Sequence, residues 1–149
     1  AHSGVWTVSF ERLIVEADGA SRGNPGDAAG GAVVIDPESG NVLATAGVLC
    51  GHASNNVAEY RGMIAGIEMA QDISPDAVIQ VKLDSKLVVE QMSGRWKIKH
   101  PDMKDLAATA RELIGGSRVT FEWVPREENA RADAAANAAL DRKASYRLP

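Results

Sequence analysis

The chain has 149 residues, 45% of them apolar and 24% charged, with a net charge of −4. That length suits one domain with a true core, and no apolar run approaches the roughly 20 residues a membrane-spanning helix needs, so no membrane partner is expected. The acidic balance is the wrong sign for a simple nucleic-acid binder, but it does not exclude a binder whose acids hold cations.

Residues 1–10 carry neither an initiator Met nor a signal-peptide pattern. They read as an N-terminal extension or a cloning remnant, leaving 11–143 as the domain and 144–149 as a tail or the start of a linker. Residues 13–18 are a short apolar run and the first predicted strand. A Gly/Pro-rich loop leads to a second strand at 31–36, and Pro37-Glu38-Ser39-Gly40 turns the chain into a third at 41–49. Asn55 or Asn56 is placed to cap a helix running to about Asp72, striped by Tyr60, Met63, Ile64, Ile67 and Ala70. A fourth strand spans 78–84. Ser85 caps a short helix through Met92, and Pro101 opens another that Gly115-Gly116 stops. Residues 119–124 alternate as a fifth strand, with Trp123 and Phe121 assigned to the core, and an Ala-rich helix covers about 129–142. Helices between the later strands allow parallel pairing, so the class is α/β. Cys50 is alone, which rules out an internal disulfide and makes a reducing cytoplasm the expected compartment; it is expected to pack at a strand end.

Four acids stand out against this pattern. Asp18 and Asp84 close apolar strands, where open α/β sheets commonly place their sites. Glu59 shares a helical face with Met63 and Ile67, and Asp133 shares one with Ala136, Asn137 and Leu140. An isolated carboxylate on a buried face is costly, so it needs a charge partner. Four converging carboxylates without a cluster of Cys or His point to hard cations, magnesium above all.

The run Asp18-Gly19-Ala20-Ser21-Arg22-Gly23-Asn24-Pro25-Gly26 resembles the opening motif of type 1 ribonucleases H. Ser54-Asn55-Asn56-Val57-Ala58-Glu59 resembles their T-N-N-x-x-E motif, Asp84-Ser85-Lys86-Leu87-Val88 their D-S-x-x-V, and Asn129-Ala130-Arg131-Ala132-Asp133 their closing N-x-x-x-D. The four occur in the family's order. The likeness is strongest to the bacterial and archaeal branch, including actinobacterial proteins in which this domain is fused to a phosphatase-like one, so a further domain after Pro149 is one expectation. The resemblance implies a ribonuclease H-like fold with a five-stranded mixed sheet, its first three strands antiparallel, flanked by helices. It also implies an endonuclease, monomeric, that hydrolyses the RNA strand of RNA–DNA hybrids and leaves 5′-phosphate and 3′-hydroxyl ends. Asp18, Glu59, Asp84 and Asp133 take the positions of its catalytic metal ligands, for two Mg²⁺ ions with Mn²⁺ as a substitute. Gly19, Ser21, Arg22, Asn24, Ser54, Asn55 and Asn56 take those of its substrate contacts.

Gly94-Arg95-Trp96-Lys97-Ile98-Lys99-His100 interleaves cations with an aromatic, which suits phosphate contact and sugar stacking by Trp96, Lys97 and Lys99; a solvated loop with Trp96 in the core is the competing reading. Lys86 follows Asp84 closely enough to touch a phosphate. The loop after the fifth strand, Pro125-Arg126-Glu127-Glu128, lacks the His that many family members carry there, so Arg126 and Glu128 are the candidates for product release or proton transfer. A non-catalytic hybrid-binding module and another nuclease of the same fold are the alternatives. Retention of all four acids disfavours the first, and substrate comparison separates the second.

Overall fold

A computed structural model of the protein describes residues 9–149; the expectation for the first residues of the chain therefore lies outside the described part up to residue 8. The elements run β1 (Arg12–Gly23), β2 (Gly26–Ile35), β3 (Val42–Ala53), α1 (Asn55–Ile73), β4 (Val78–Leu83), α2 (Lys86–Met92), α3 (Pro101–Ile114), β5 (Val119–Trp123), α4 (Ala130–Arg142) and β6 (Tyr146–Leu148), with a short 3₁₀ turn at Arg126–Glu128. The sheet order is β5-β4-β1-β2-β3-β6. Strands β1, β2 and β3 are antiparallel neighbours, whereas β4 runs parallel to β1 and β5 parallel to β4. This is the mixed α/β sheet expected, with six strands where five were predicted.

The sixth strand lies in the stretch read from sequence as tail. Tyr146–Leu148 pair antiparallel with Thr45–Gly47 of β3. The Tyr146 hydroxyl donates to the Ala135 carbonyl at 2.9 Å, and Arg147 donates to Asp72 at 2.8 Å, so the strand touches α4 and α1 as well. Three residues are too few for a periodic signal, and only these distant partners define them.

The first hairpin is also longer than predicted. Strands β1 and β2 stay paired from Ile14↔Ile35 out to Gly23↔Gly26, so the expected Gly/Pro loop shrinks to its tip at Asn24-Pro25. Ala and Gly have weak strand propensity, and the sequence 19–30 hides its strands for that reason; the pairing of β1 with β2 and of β2 with β3 overrides the local preference. Helix α1 is capped by Ser54, whose Oγ accepts from the Val57 amide, and not by Asn55 or Asn56. The expected cap of α2 is present, with Ser85 Oγ accepting from Val88 N.

The sheet separates two unequal cores. Leu13, Val15, Ala17, Ile79, Val81 and Leu83 pack with Tyr60, Met63 and Ile67 of α1 and with Val88, Met92 and Ala107 of α2 and α3. On the opposite face Ala29 packs with Ala136, Ala139 and Leu140 of α4. The small residues on that second face let α4 lie almost on the sheet. A Cβ added at Gly31 would stand 2.2 Å from the Ala132 carbonyl oxygen and 2.4 Å from the Ala136 nitrogen, both backbone atoms.

Gly31→Ala should therefore destabilise the protein by about 2 kcal/mol or more, since overpacking against backbone has no side chain to move aside. Denaturant unfolding measures it, and a variant as stable as the parent would mean that α4 sits further from β2 than described.

Candidate active site

Asp18 stands opposite Gly31 on β1, and β4 stops at Leu83, alongside Ala17. No strand therefore flanks Asp18 on the β4 side, and groups from both faces of the sheet can meet in that gap. Three do. Asp18, Glu59 and Asp84 bring one carboxylate oxygen each to within 4.8 Å of one another. Asp84 follows the end of β4. Glu59 arrives on α1, which is seated against the sheet at Gly19: a Cβ there would stand 2.5 Å from the Glu59 nitrogen and 2.6 Å from the Asn55 carbonyl oxygen.

Asp18 is 6% exposed and Glu59 4%. Asp18 Oδ1 accepts from Gly19 N at 2.8 Å, and Glu59 Oε2 from Ser85 N at 3.0 Å. These bonds offset only part of the cost of burial. Desolvation, then the charge of Asp84, pushes the Asp18 carboxyl up to about 7, with Asp133 adding a smaller push. Burial first, then Asp84 and Asp18, pushes Glu59 up to about 9. Among the described residues no basic side chain is hydrogen-bonded or ion-paired to any of the three. Oxygen-only donors that repel one another and lack a positive partner fit a hard cation.

The cluster opens into a cleft of about 470 Å³ lined by Asp18, Gly19, Ala20, Ser21, Asn55, Asn56, Glu59, Asp84, Ser85, Arg126, Asp133 and Asn137. Eight residues named from sequence as metal or substrate contacts thus meet here, Asp133 among them, together with Arg126. Asp133 differs from the expectation of a buried face: it is exposed, on the flank of the α4 stripe formed by Ala132, Ala135, Ala136 and Ala139, and it lies outside the three-carboxylate group. Ala20, Ser85 and Asn137 were not singled out as site residues. Ser85 had a signal in its capping role, and Asn137, one turn from Asp133, donates to the Asp133 carboxylate at 3.3 Å.

Other expected contacts sit elsewhere. Arg22 does not line the cleft; it pairs with Asp141 at 2.6 Å at the exposed end of the hairpin. Asn24 accepts from the Asn55 amide at 3.2 Å and so ties the hairpin tip to the start of α1, where Ser54 is the cap. Lys86 opens α2 and is exposed, as is Glu128. Trp96, Lys97 and Lys99 line a separate groove with Leu87, Gln91 and Met103, and Trp96 is 45% exposed, so it is not a core residue. Trp123 is corrected too. It is 50% exposed, and its indole Nε1 donates to the Asp84 carbonyl at 3.2 Å; β5 is an edge strand, so its alternation does not decide that both faces are covered. Cys50 is half-buried within β3, which continues three residues past it. His52 and His100 do not line the cleft, and His100 caps α3 by accepting from Asp102 N.

The reverse transcriptase-like family matches residues 16–139. The bifunctional protein Rv2228c of Mycobacterium tuberculosis is 51% identical over 131 residues, covering 87% of this chain and 36% of that protein. The solved N-terminal ribonuclease H domain of Rv2228c superposes with a TM-score of 0.82 at 51% identity, over 88% of this chain and 94% of that one. LC11-RNase H1, solved in complex with an RNA/DNA hybrid, gives 0.83 at 36% identity, over 89% and 99%. Sheet order and cleft define a ribonuclease H-like domain. With these relatives, the chain belongs to the type 1 ribonuclease H family. It spans about a third of the length of the curated mycobacterial proteins it matches.

The raised carboxyls make a signed prediction. A carboxyl whose folded value lies above its ordinary one stabilises the fold fully below the ordinary value and loses that contribution as pH rises through the folded one. For Glu59 the window runs from 4.5 to about 9. In EDTA, the stability of the parent should fall across this window relative to Glu59→Gln, and added divalent cation should restore it. Parallel stability–pH curves for the two proteins would remove charge repulsion as the cause.

Proposed function

We propose that this chain is an endonuclease that hydrolyses the RNA strand of RNA–DNA hybrids in a metal-dependent reaction, leaving 5′-phosphate and 3′-hydroxyl ends. The observation that carries the reading is the Asp18–Glu59–Asp84 cluster at the floor of an open polar cleft. Its family membership and the hybrid-bound relative support the substrate class. Asp18, Glu59, Asp84 and Asp133 would together hold two Mg²⁺ ions, for which Mn²⁺ could stand in. When bound, such ions supply an activated water and charge compensation at the leaving 3′ oxygen.

The remaining work falls to the chain. Asn55 and Asn56 edge the cleft beside Glu59 and can exchange hydrogen bonds with 2′-hydroxyls, the groups that distinguish RNA from DNA. Gly19 and Ser21 present backbone on the β1 side, and the Ser21 hydroxyl is already directed at the Gly23 and Ala53 carbonyls. Arg126 is the cation of the cleft and serves a phosphate or departing product; Glu128 flanks it on the same 3₁₀ turn. Trp96, Lys97 and Lys99, in their own groove, would take phosphates and sugars further along the duplex. Arg95 beside them is already paired with Glu90 at 2.7 Å. Arg22, Asn24, Ser54 and Lys86 would act at the rim. A monomer working in the cytoplasm, with a phosphatase-like domain beyond Pro149 in the full protein, belongs to the same proposal; the bifunctional character of Rv2228c supports the last part.

Asp84→Asn should lower hybrid cleavage by about a hundredfold or more while leaving hybrid affinity nearly intact, because the amide keeps shape and loses charge. Near-parental turnover in Mg²⁺ would sink the assignment. A protein that binds labelled hybrid but never cuts it would favour a non-catalytic module, and equal cutting of duplex DNA would favour another nuclease of this fold.

Lys97→Ala/Lys99→Ala should weaken hybrid binding and lower the salt slope by about one per lysine. Unchanged affinity and slope would exclude the groove as a contact surface.

A further inference from the structure

Beside the cleft, the first turn of α4 is fastened to β1 by side chains that do not line the cleft. Asn129 precedes α4 but makes no side-chain cap to its own helix. Its Nδ2 donates instead to the Ala17 carbonyl at 2.7 Å. Its Oδ1 is buried with no partner among the described residues. A residue at this position commonly bonds its own second or third helical amide, and a buried acceptor left unmade costs stability. Asn129 therefore serves the strand rather than the start of the helix.

Two residues later Arg131 forks onto Glu16, with Nε and a terminal nitrogen donating to the two carboxylate oxygens at 3.2 and 3.0 Å. Glu16 is buried, whereas the outer side of Arg131 is half-exposed. Parallel bonds from a planar guanidinium fix orientation as well as distance, which a lysine does not do. Glu16 and Ala17 immediately precede Asp18. Asp133 is one helical turn beyond Asn129, its amide donating to the Asn129 carbonyl at 3.2 Å. The same turn is seated without clearance on Gly31, the register partner of Asp18.

We propose that the Glu16–Arg131 fork and the Asn129–Ala17 bond are positioning elements that hold the exposed Asp133 carboxylate in register with Asp18. This rests on the hybrid-cleaving reading above. Arg131 acts through Asp133 and leaves the substrate untouched.

Two variants test it. Glu16→Leu/Arg131→Met exchanges the pair for apolar side chains, a replacement that buried ion pairs often tolerate. Arg131→Lys keeps the charge, loses the fork and carries the test if the double variant does not fold. Both should lower kcat on a labelled hybrid about tenfold or more through misplacement, with KM and salt slope unchanged. Amide hydrogen exchange across residues 130–134 should accelerate. On an Asp133→Asn background the same changes should cost little further activity, because they act through the group already removed. Unaltered kcat and exchange would overturn the proposal. A raised KM with a flatter salt dependence would assign Arg131 to a substrate phosphate and overturn it too, as would an undiminished loss on the Asp133→Asn background. If the parent itself fails to cut hybrid in Mg²⁺, the functional reading falls, and the exchange measurement still decides whether the clamp orders the α4 turn.

Discussion

The structure depends on how closely two helix backbones approach one hairpin. Gly19 takes α1 and Gly31 takes α4, each at a distance that a single methyl would block. They belong to adjacent rungs of the β1–β2 ladder, Asp18↔Gly31 and Gly19↔Gly30, and successive residues of a strand face opposite sides. One helix is thus drawn onto each face beside Asp18. Helix α1 brings Glu59, and α4 brings Asp133. Because β4 ends one rung short, the flank of Asp18 stays open, and Asp84 enters there from the strand end.

This arrangement concentrates negative charge where the fold can least solvate it. Burial and mutual repulsion raise Asp18 and Glu59 well above ordinary carboxyls, and neither has a basic partner among the described residues. The nearby acid that is buried and paired is Glu16, whose charge Arg131 takes up. The contrast is informative. Two residues apart on the same face of β1, one carboxylate is neutralised from within the protein and the other is left for a cation from outside. The energy that packing supplies elsewhere holds this frustrated cluster in place, a pattern common at sites of reaction.

The surfaces around the cleft divide the labour by distance. Polar groups that can read hydroxyls, Asn55 and Asn56, edge the carboxylates. Lys97, Lys99 and the exposed Trp96 occupy a second groove beside α2. A net charge of −4 hides this division, since four of the acids gather at one cleft while Lys97 and Lys99 stand apart in the second groove.

Much of this was legible in the sequence because the signals are local. Apolar period and breakers placed α1 to within two residues at each end, Pro101 and Gly115 bounded α3, and Ser85 announced α2. The four acids were found because two of them close apolar strands and two share a helical face with apolar residues. What stayed hidden depends on partners far along the chain. Residues 19–30 carry too little β-branched or aromatic character to declare strands, and only the pairing of β1 with β2 and of β2 with β3 makes them so. Trp123 alternates like a core residue but lies on an edge, and no pattern in five residues states which strand will lack a neighbour. Asp133 shares its helical spacing with buried residues, yet the buried stripe of α4 runs through Ala132, Ala135, Ala136 and Ala139 and leaves Asp133 on its flank. The sequence by itself determined which elements exist and which residues carry charge, because periodicity, capping and composition act over a few residues. Tertiary structure alone decided which carboxylates converge, which acid is neutralised by an arginine, and which aromatic is exposed, because burial and charge pairing are set by neighbours separated by up to 119 positions.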